Sequence, residues 1–310
     1  MITSLFPNTR AWTDKVGPLK YWSRMATRQF AKRVLRRGLW LKLPNGRSVW
    51  LPDDSAFSSV AWVTKGAVDD GFEVLLRKLG ESGTAFFDVG AHFGFYCAFL
   101  CDRHTPCVAF EPDCRTLPAL QRNLAAIPGA VCVSAAVSDR AGEVRFSQSS
   151  SSPESRVLAG GEQVDERFMK KVPVVQIDQI WRDQGLPKVG VVKIDTEGHE
   201  TFVLTGAMSM IEANRPIMLI EATAQTLAAH VAWLDSLGYV ALTLSDRHHA
   251  KGQHATVAPL YNLAVAFKSG MILMVPEHVR SKAAWQDVVS GRYDFSFASG
   301  NWPSVPKRSL

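Results

Sequence analysis

From Val60 to Phe267, short apolar runs bounded by glycine, proline or an acid alternate with segments of helical spacing. This alternation constrains the fold more than any other feature of the chain. Strands are expected at 84–88, at "CVAFE" ending at Glu111, at "AVCVSAAV" ending near Ser138, at "VGVVKID" ending at Asp195, and at "PIMLIE" ending at Glu221. Helical segments fill the gaps at 69–79, 93–102, "CRTLPALQRNLAA", 199–211 and 225–237, with Pro118 early in its helix, where proline is tolerated. "GEVRFSQ" and "KKVPVVQI" read as further strands around a serine-rich loop, 149–165, and "YVALTLS" and "LYNLAVAF" as an antiparallel hairpin. The pattern predicts an α/β fold: a doubly wound, mostly parallel sheet with an antiparallel C-terminal hairpin. Its ligand crevice is expected at the carboxyl ends of the strands.

Acids stand at those ends. Asp88, Glu111, Asp139, Asp195 and Glu221 each close a successive strand. After Asp88 comes "GAHFG", a glycine turn in which Gly90 and Gly94 allow close backbone approach to a nucleotide. Glu111, 21 residues past Gly90, suits a ribose diol. Asp88 separates two kinds of nucleotide. The anionic pyrophosphate of a dinucleotide would be repelled beside it, whereas the cationic methionine end of S-adenosylmethionine (SAM) would be attracted.

Charge is distributed unevenly. Residues 1–50 hold 11 Lys and Arg against one acid, Asp14, while the remainder carries a net charge of −4. Lys20, Arg24, Arg28, Lys32 and Arg36 recur every four residues, and Trp22, Ala26, Phe30 and Val34 recur on the other side of an expected amphipathic helix ending by Gly38. The basic stripe reads either as the solvated face of a docked helix or as a contact for an anionic membrane, an anionic acceptor or nucleic acid. "LWLKLPNGRSVWLP" then predicts a hairpin with an Asn-Gly turn. The expected division is a basic arm with hairpin over 1–50, a main domain over 51–270, and a tail over 271–310.

No apolar run reaches the roughly 18 residues of a membrane span, and the first residues lack a secretory pattern. With five cysteines and no CxxC pair, the thiols read as reduced, small hydrophobes. The expected location is cytoplasmic, peripheral at the inner membrane surface if the arm binds lipid. Asp246, His248, His249 and His254 share one loop, which reads as a polar hairpin loop, and no metal ligand is assigned.

"FFDVGAHFGFYCAFL", "AFEPDCRTLPALQRNL", "AAVSDRAGEVRF", "VVQIDQI" and "VVKIDTEGHE" resemble, in order and spacing, the motifs of FkbM-type SAM-dependent methyltransferases over roughly residues 60–267. The resemblance implies the class I methyltransferase (Rossmann-like) fold and S-adenosyl-L-methionine as cofactor. It implies that Asp88, Gly90 and Gly94 line the methionine end, with His92 where many members have Asn. Glu111 would hold the ribose hydroxyls, with Pro112 and Asp113 shaping its loop, and Ala136, Val137 and Ser138 would lie by the adenine. It further implies transfer to a hydroxyl of a sugar, glycan or glycosylated metabolite, an acceptor that the basic arm would suit if lipid-linked or anionic.

An alcohol of high pKa needs a base or a metal to help remove its proton, and in-line transfer needs the acceptor oxygen held close to the methyl carbon. Asp195 and Glu197 are the leading candidates to orient and deprotonate the acceptor, followed by His199; Glu200 reads as an acid of a helix's first turn. Lys193 shares a strand face with Asp195 and, with Glu221, is expected at the acceptor. Lys193, Asp195 and Glu221 also partly mimic the set of ribose 2′-O-methyltransferases, so nucleic acid is the alternative acceptor. A SAM-binding protein without turnover is the other alternative.

Overall fold

A computed structural model describes residues 13, 16–69, 71–102, 104–148, 155–158, 165–185, 188–223, 232–244, 257–259 and 269–290. Among them no helix is long and apolar enough to cross a membrane. The serine-rich loop is largely outside these residues; the His-rich loop 246–254, the segment 260–267 and the first part of the 225–237 helix are wholly outside.

In chain order the first elements are α1 (Pro18–Arg33), β1 (Leu39–Lys42), β2 (Ser48–Leu51), α2 (Ala56–Thr64), α3 (Phe72–Leu79), β3 (Ala85–Val89), α4 (Phe95–Leu100), β4 (Cys107–Phe110) and α5 (Leu117–Leu124). They are followed by β5 (Val131–Val133), β6 (Ala136–Val137), β7 (Gly142–Ser147), β8 (Arg156–Val157), β9 (Met169–Val175), α6 (Ile177–Asp183), β10 (Val189–Ile194), α7 (Glu200–Thr205), α8 (Met208–Asn214) and β11 (Ile217–Thr223). The last are β12 (Tyr239–Leu244), β13 (Val257–Pro259), β14 (Ser269–Pro276), α9 (Glu277–Arg280) and α10 (Ala283–Val289).

The main sheet has the order β13-β12-β14-β11-β10-β3-β4-β5. The five strands from β11 to β5 run parallel, and β14, β12 and β13 pair antiparallel. The doubly wound, mostly parallel sheet is thus the one expected. Its order reverses at β3, between β10 and β4, which puts the crevice at the carboxyl ends of β3 and β10. Alternate residues of each strand feed two apolar layers. Phe86, Ala109, Val191 and Leu219 face α3, α4 and α5, whereas Phe87, Phe110, Val192 and Ile220 face α7 and α8.

Three elements depart from expectation. "AVCVSAAV" is two strands: β5 belongs to the main sheet, but β6 pairs with β9 in a second sheet of order β6-β9-β7-β8. Asp139 therefore does not end a strand of the main sheet. The expected helix 199–211 is two short helices broken at Gly206, where a Cβ would lie 2.0 Å from the Ser138 carbonyl oxygen. Finally, the division at residue 270 cuts through β14, which inserts between β11 and β12. Residues 271–276, "MILMVP", are apolar because both faces of that strand are covered, and Trp285 and Val288 of α10 also join the core.

The hairpin β1–β2 forms as predicted and pairs only within itself among the described residues. Asn123 of α5 fixes it: its Oδ1 accepts from Trp50 N at 2.6 Å and its Nδ2 donates to Trp50 O and Phe93 O. Asn45 donates to the Ala98 and Phe99 carbonyls at the end of α4. The hairpin is a clamp over α4 and α5.

The helix α1 docks on the domain through a face that mixes apolar and basic residues. Tyr21, Met25, Arg28 and Ala31 are buried. Arg28 donates to the Leu51 and Pro52 carbonyls and to Ser59 Oγ, and Arg24 donates to the Val63 carbonyl at 2.5 Å. Trp22, Ala26, Phe30 and Val34 are exposed. Backbone carbonyls of Leu51, Pro52 and Val63 take up the two guanidinium groups, so Arg24 and Arg28 dock together with Tyr21, Met25 and Ala31, and Trp22, Ala26 and Phe30 face outward.

Candidate active site

Strand parity builds the site. Asp88, Lys193 and Glu221 alternate with Phe87, Ile194 and Ile220, which fill the layer facing α7 and α8. All three polar residues therefore project to the opposite face, and Lys193 stands directly beside Asp88 in register. Glu111 and Asp195 continue the same parity one residue beyond β4 and β10.

Lys193 is buried, and its Nζ lies 2.7 Å from Asp195 Oδ2. Burial alone would lower the lysine pKa, but the Asp195 and Asp88 carboxylates outweigh it and hold the ammonium charged. Burial would raise Asp195, but Lys193 more than offsets this and keeps the carboxyl below its usual range. Glu221 moves the other way: burial first, then the adjacent Asp195 charge, pushes it up to about 9. At neutral pH the two acids therefore share a negative charge on Asp195 and a proton on Glu221.

Glu197 completes this cluster from an exposed loop position with a left-handed φ of 56°. Non-glycine residues rarely adopt that conformation, so the loop is held in a defined shape. One carboxylate oxygen each from Asp195, Glu197 and Glu221 lies within 4.8 Å of the others, a spacing that a divalent cation or the hydroxyls of an acceptor could bridge. Glu200 does not join them. Its Oε1 accepts from Thr196 N, Thr196 Oγ1 and Gly198 N, so it closes the loop at the start of α7.

Asp88 is 1% exposed. Cys97 Sγ–H donates to its Oδ2 at 3.3 Å, while Oδ1 is buried with no hydrogen-bond partner among the described residues. Burial raises this carboxyl to about 6. An orphaned, buried carboxylate oxygen beside a glycine turn fits an ammonium donor from a ligand. Gly90 is obligatory for another reason than cofactor approach: a Cβ there would sit 1.9 Å from the Asp195 carbonyl oxygen, at φ 76°. Gly94 also has positive φ, and a Cβ would press on Leu120.

Glu111 is buried and raised by that burial to about 7. Its Oε2 accepts from His92 N and its Oε1 from Asp113 N, each at 2.8 Å, which closes the loop through Pro112 and ties it to the glycine turn. The Thr116 side chain also hydrogen-bonds this carboxyl. His92 adopts φ 51°, and its ring packs edge-on against Phe57 and Phe93. Burial lowers its pKa to about 4, so the imidazole is neutral.

Ala136 and Val137 are buried in apolar clusters, so their side chains are spent on packing. Ser138 Oγ lies 2.9 Å from His199 Nε2, and the His199 ring stacks on Phe202 at 4.6 Å. His199 thus stands with the residues expected near the adenine, and burial lowers its pKa. Reading the sequence alone missed Tyr96, Asp69 and Cys97. The Tyr96 hydroxyl donates to Asp69 Oδ2 at 2.6 Å, and its ring lies 5.3 Å from Lys193 Nζ. A phenol and a thiol inside the otherwise apolar run "FYCAFL" were the available signal.

The chain is 26% identical over 196 residues to the hexuronic acid methyltransferase AglP of Haloferax volcanii, covering 59% of this chain and 79% of that protein. The crystal structure of methyltransferase FkbM from Methylobacillus flagellatus KT is 16% identical, with a TM-score of 0.42 over 71% of this chain and 55% of that one. The precorrin-6y C5,15-methyltransferase of Geobacter metallireducens GS-15 is 15% identical, with a TM-score of 0.36 over 66% of this chain and 85% of that one. At such TM-scores these two structures add nothing to the sheet order itself. Residues 88–241 match the methyltransferase FkbM domain, and through that match this chain belongs to the FkbM methyltransferase family.

Proposed function

We propose that the chain transfers the methyl group of S-adenosylmethionine to a hydroxyl of a sugar, glycan or glycosylated metabolite. The observation that carries the cofactor reading is the buried, unpartnered Oδ1 of Asp88 beside the Gly90–Gly94 turn. A sulfonium-bound methyl group is what the cofactor supplies. Asp88 would accept from its ammonium, and Glu111 would accept from its ribose hydroxyls. Ser138, with the backbone of Ala136 and Val137, would border the adenine.

The acceptor would meet Asp195, Glu197 and Glu221. Asp195, ionised by Lys193, would accept a hydrogen bond from the hydroxyl, with Glu221 donating its proton to hold that carboxylate in place. Release of the hydroxyl proton towards the Asp195–Glu197 side is the expected general-base step. AglP is named for methylation of a hexuronic acid, and this supports a sugar acceptor here. An acceptor carried on a lipid or an anionic polymer at the cytoplasmic face of a membrane would match the positive charge of residues 1–50. The nucleic-acid alternative leaned on the basic stripe of α1, and two of its arginines, Arg24 and Arg28, are engaged by the protein body.

The test is transfer of labelled methyl from S-adenosylmethionine to a panel of uronic acids, neutral sugars and a structured RNA. Labelled sugar with unlabelled RNA is expected; labelled RNA with unlabelled sugars would overturn the reading.

A further inference from the structure

Ten large hydrophobic residues are exposed among the described residues, and six of them lie between Leu19 and Trp40. Leu19 is 84% exposed, Trp22 47%, Phe30 55%, Val34 63% and Leu35 44%. At 100° per residue Leu19, Trp22, Ala26 and Phe30 form one narrow stripe along α1. It is roughly opposite the docked face of Tyr21, Met25 and Arg28.

What the stripe fits is decided by the charge around it. The sequence has no acid from residue 15 to residue 52. Lys20, Arg33, Arg36 and Arg37 are exposed with the stripe or just after it, while Asp53 and Asp54 lie near Arg28 and Lys32, on the docked side. Exposed Trp, Phe and Leu rimmed by cations alone suit a surface that is apolar beneath and anionic above.

We propose that α1 is an interfacial helix: its Leu19–Trp22–Phe30 stripe enters the headgroup region of an anionic bilayer, with Lys20, Arg33, Arg36 and Arg37 on lipid phosphates. The inference rests on which face of α1 docks, and it is independent of the acceptor's identity. It also changes the use of the arm: Arg24 and Arg28 of the basic stripe are engaged by the protein body beside buried Tyr21 and Met25, so the outward surface combines the apolar stripe with the remaining cations.

The experiment is co-sedimentation of the full chain with vesicles of phosphatidylcholine alone and of phosphatidylcholine mixed with phosphatidylglycerol, at low and physiological salt. Light scattering of the lipid-free protein runs in parallel. Binding to the mixed vesicles, weakened by salt, is expected. Trp22→Ser/Phe30→Ser should weaken it by at least about tenfold, and Arg33→Glu/Arg36→Glu should remove its preference for anionic lipid. These positions are exposed, so unchanged melting and S-adenosylhomocysteine binding are expected of both variants. Absence of vesicle binding by the wild type, or full binding by the Trp22/Phe30 variant, would overturn the proposal. So would a wild-type dimer that this variant dissociates, since the stripe would then be a contact between copies. Loss of S-adenosylhomocysteine binding in the wild type would strike the proposed function and leave the vesicle result standing.

Discussion

Lys193 and Asp195 form an ion pair at 2.7 Å in which the lysine side chain is 5% exposed and the aspartate 33%. They sit two residues apart at the end of one strand and share a face, so the pair is built into the strand's parity. Replacing Lys193 by Met strands Asp195 and Asp88 without their counter-charge. A fully buried pair costs about 3–5 kcal/mol to break; with Asp195 a third exposed, about 2 kcal/mol is expected, read by urea unfolding. Lys193 holds Asp195 low, so its loss raises that pKa, and the acidic limb of the kcat–pH profile should move to higher pH.

Asp195→Asn removes the proposed base without removing bulk. The expected loss in kcat is at least about a hundredfold, with S-adenosylhomocysteine affinity nearly unchanged. His199→Gln keeps a partner for Ser138 and should cost far less. Steady-state kinetics on the two variants separates an acceptor role from a cofactor role.

Gly90→Ala and Gly46→Ala compare a clash with an open site, since both glycines have positive φ. At Gly90 the added Cβ meets the Asp195 carbonyl oxygen at 1.9 Å, whereas nothing lies within 4 Å at Gly46. The Gly46 change should cost about 1 kcal/mol through φ alone. The Gly90 change should cost more than about 3 kcal/mol or abolish soluble protein, because backbone must move.

Burial raises Glu111 from 4.5 to about 7 and Asp88 from 3.8 to about 6. A carboxyl raised by folding binds protons in the native state that the unfolded chain has released. Its contribution is therefore fully present below the unfolded pKa and is lost as pH rises through the folded one. Ligand-free protein should lose stability between about pH 4 and pH 7 from these two groups, as followed by chemical denaturation. Cofactor-product binding should strengthen over the same window and release protons, which calorimetry in two buffers of different ionisation enthalpy detects.

The parallel strands were readable because buried runs punctuated by Gly and Asp have few alternatives, and because parity alone puts Lys193 with Asp195. Other features depend on distant partners. The sequence around α1 defines two faces but not which one docks; the Leu51, Pro52 and Val63 carbonyls decide that by taking up Arg28 and Arg24. Nothing between Val133 and Ala136 resembles a turn, so the switch of sheets there carries no local signal. Residues 269–276 gave no helix after the preceding strand, and an antiparallel insertion between β11 and β12 follows only from the register of three strands. The thiol–carboxylate contact of Cys97 with Asp88 likewise joins residues nine apart across a turn.

The most direct test of the cofactor site is calorimetric titration of S-adenosylhomocysteine and, separately, NAD into the wild type and Asp88→Asn. Wild-type protein should bind S-adenosylhomocysteine and not NAD. Asp88→Asn should weaken that binding by at least about tenfold while matching or exceeding wild-type stability at pH 8, because burial already penalises the charge it removes. Undiminished binding in Asp88→Asn, or binding of NAD in place of S-adenosylhomocysteine, would contradict the role given to that carboxylate and the site built around it.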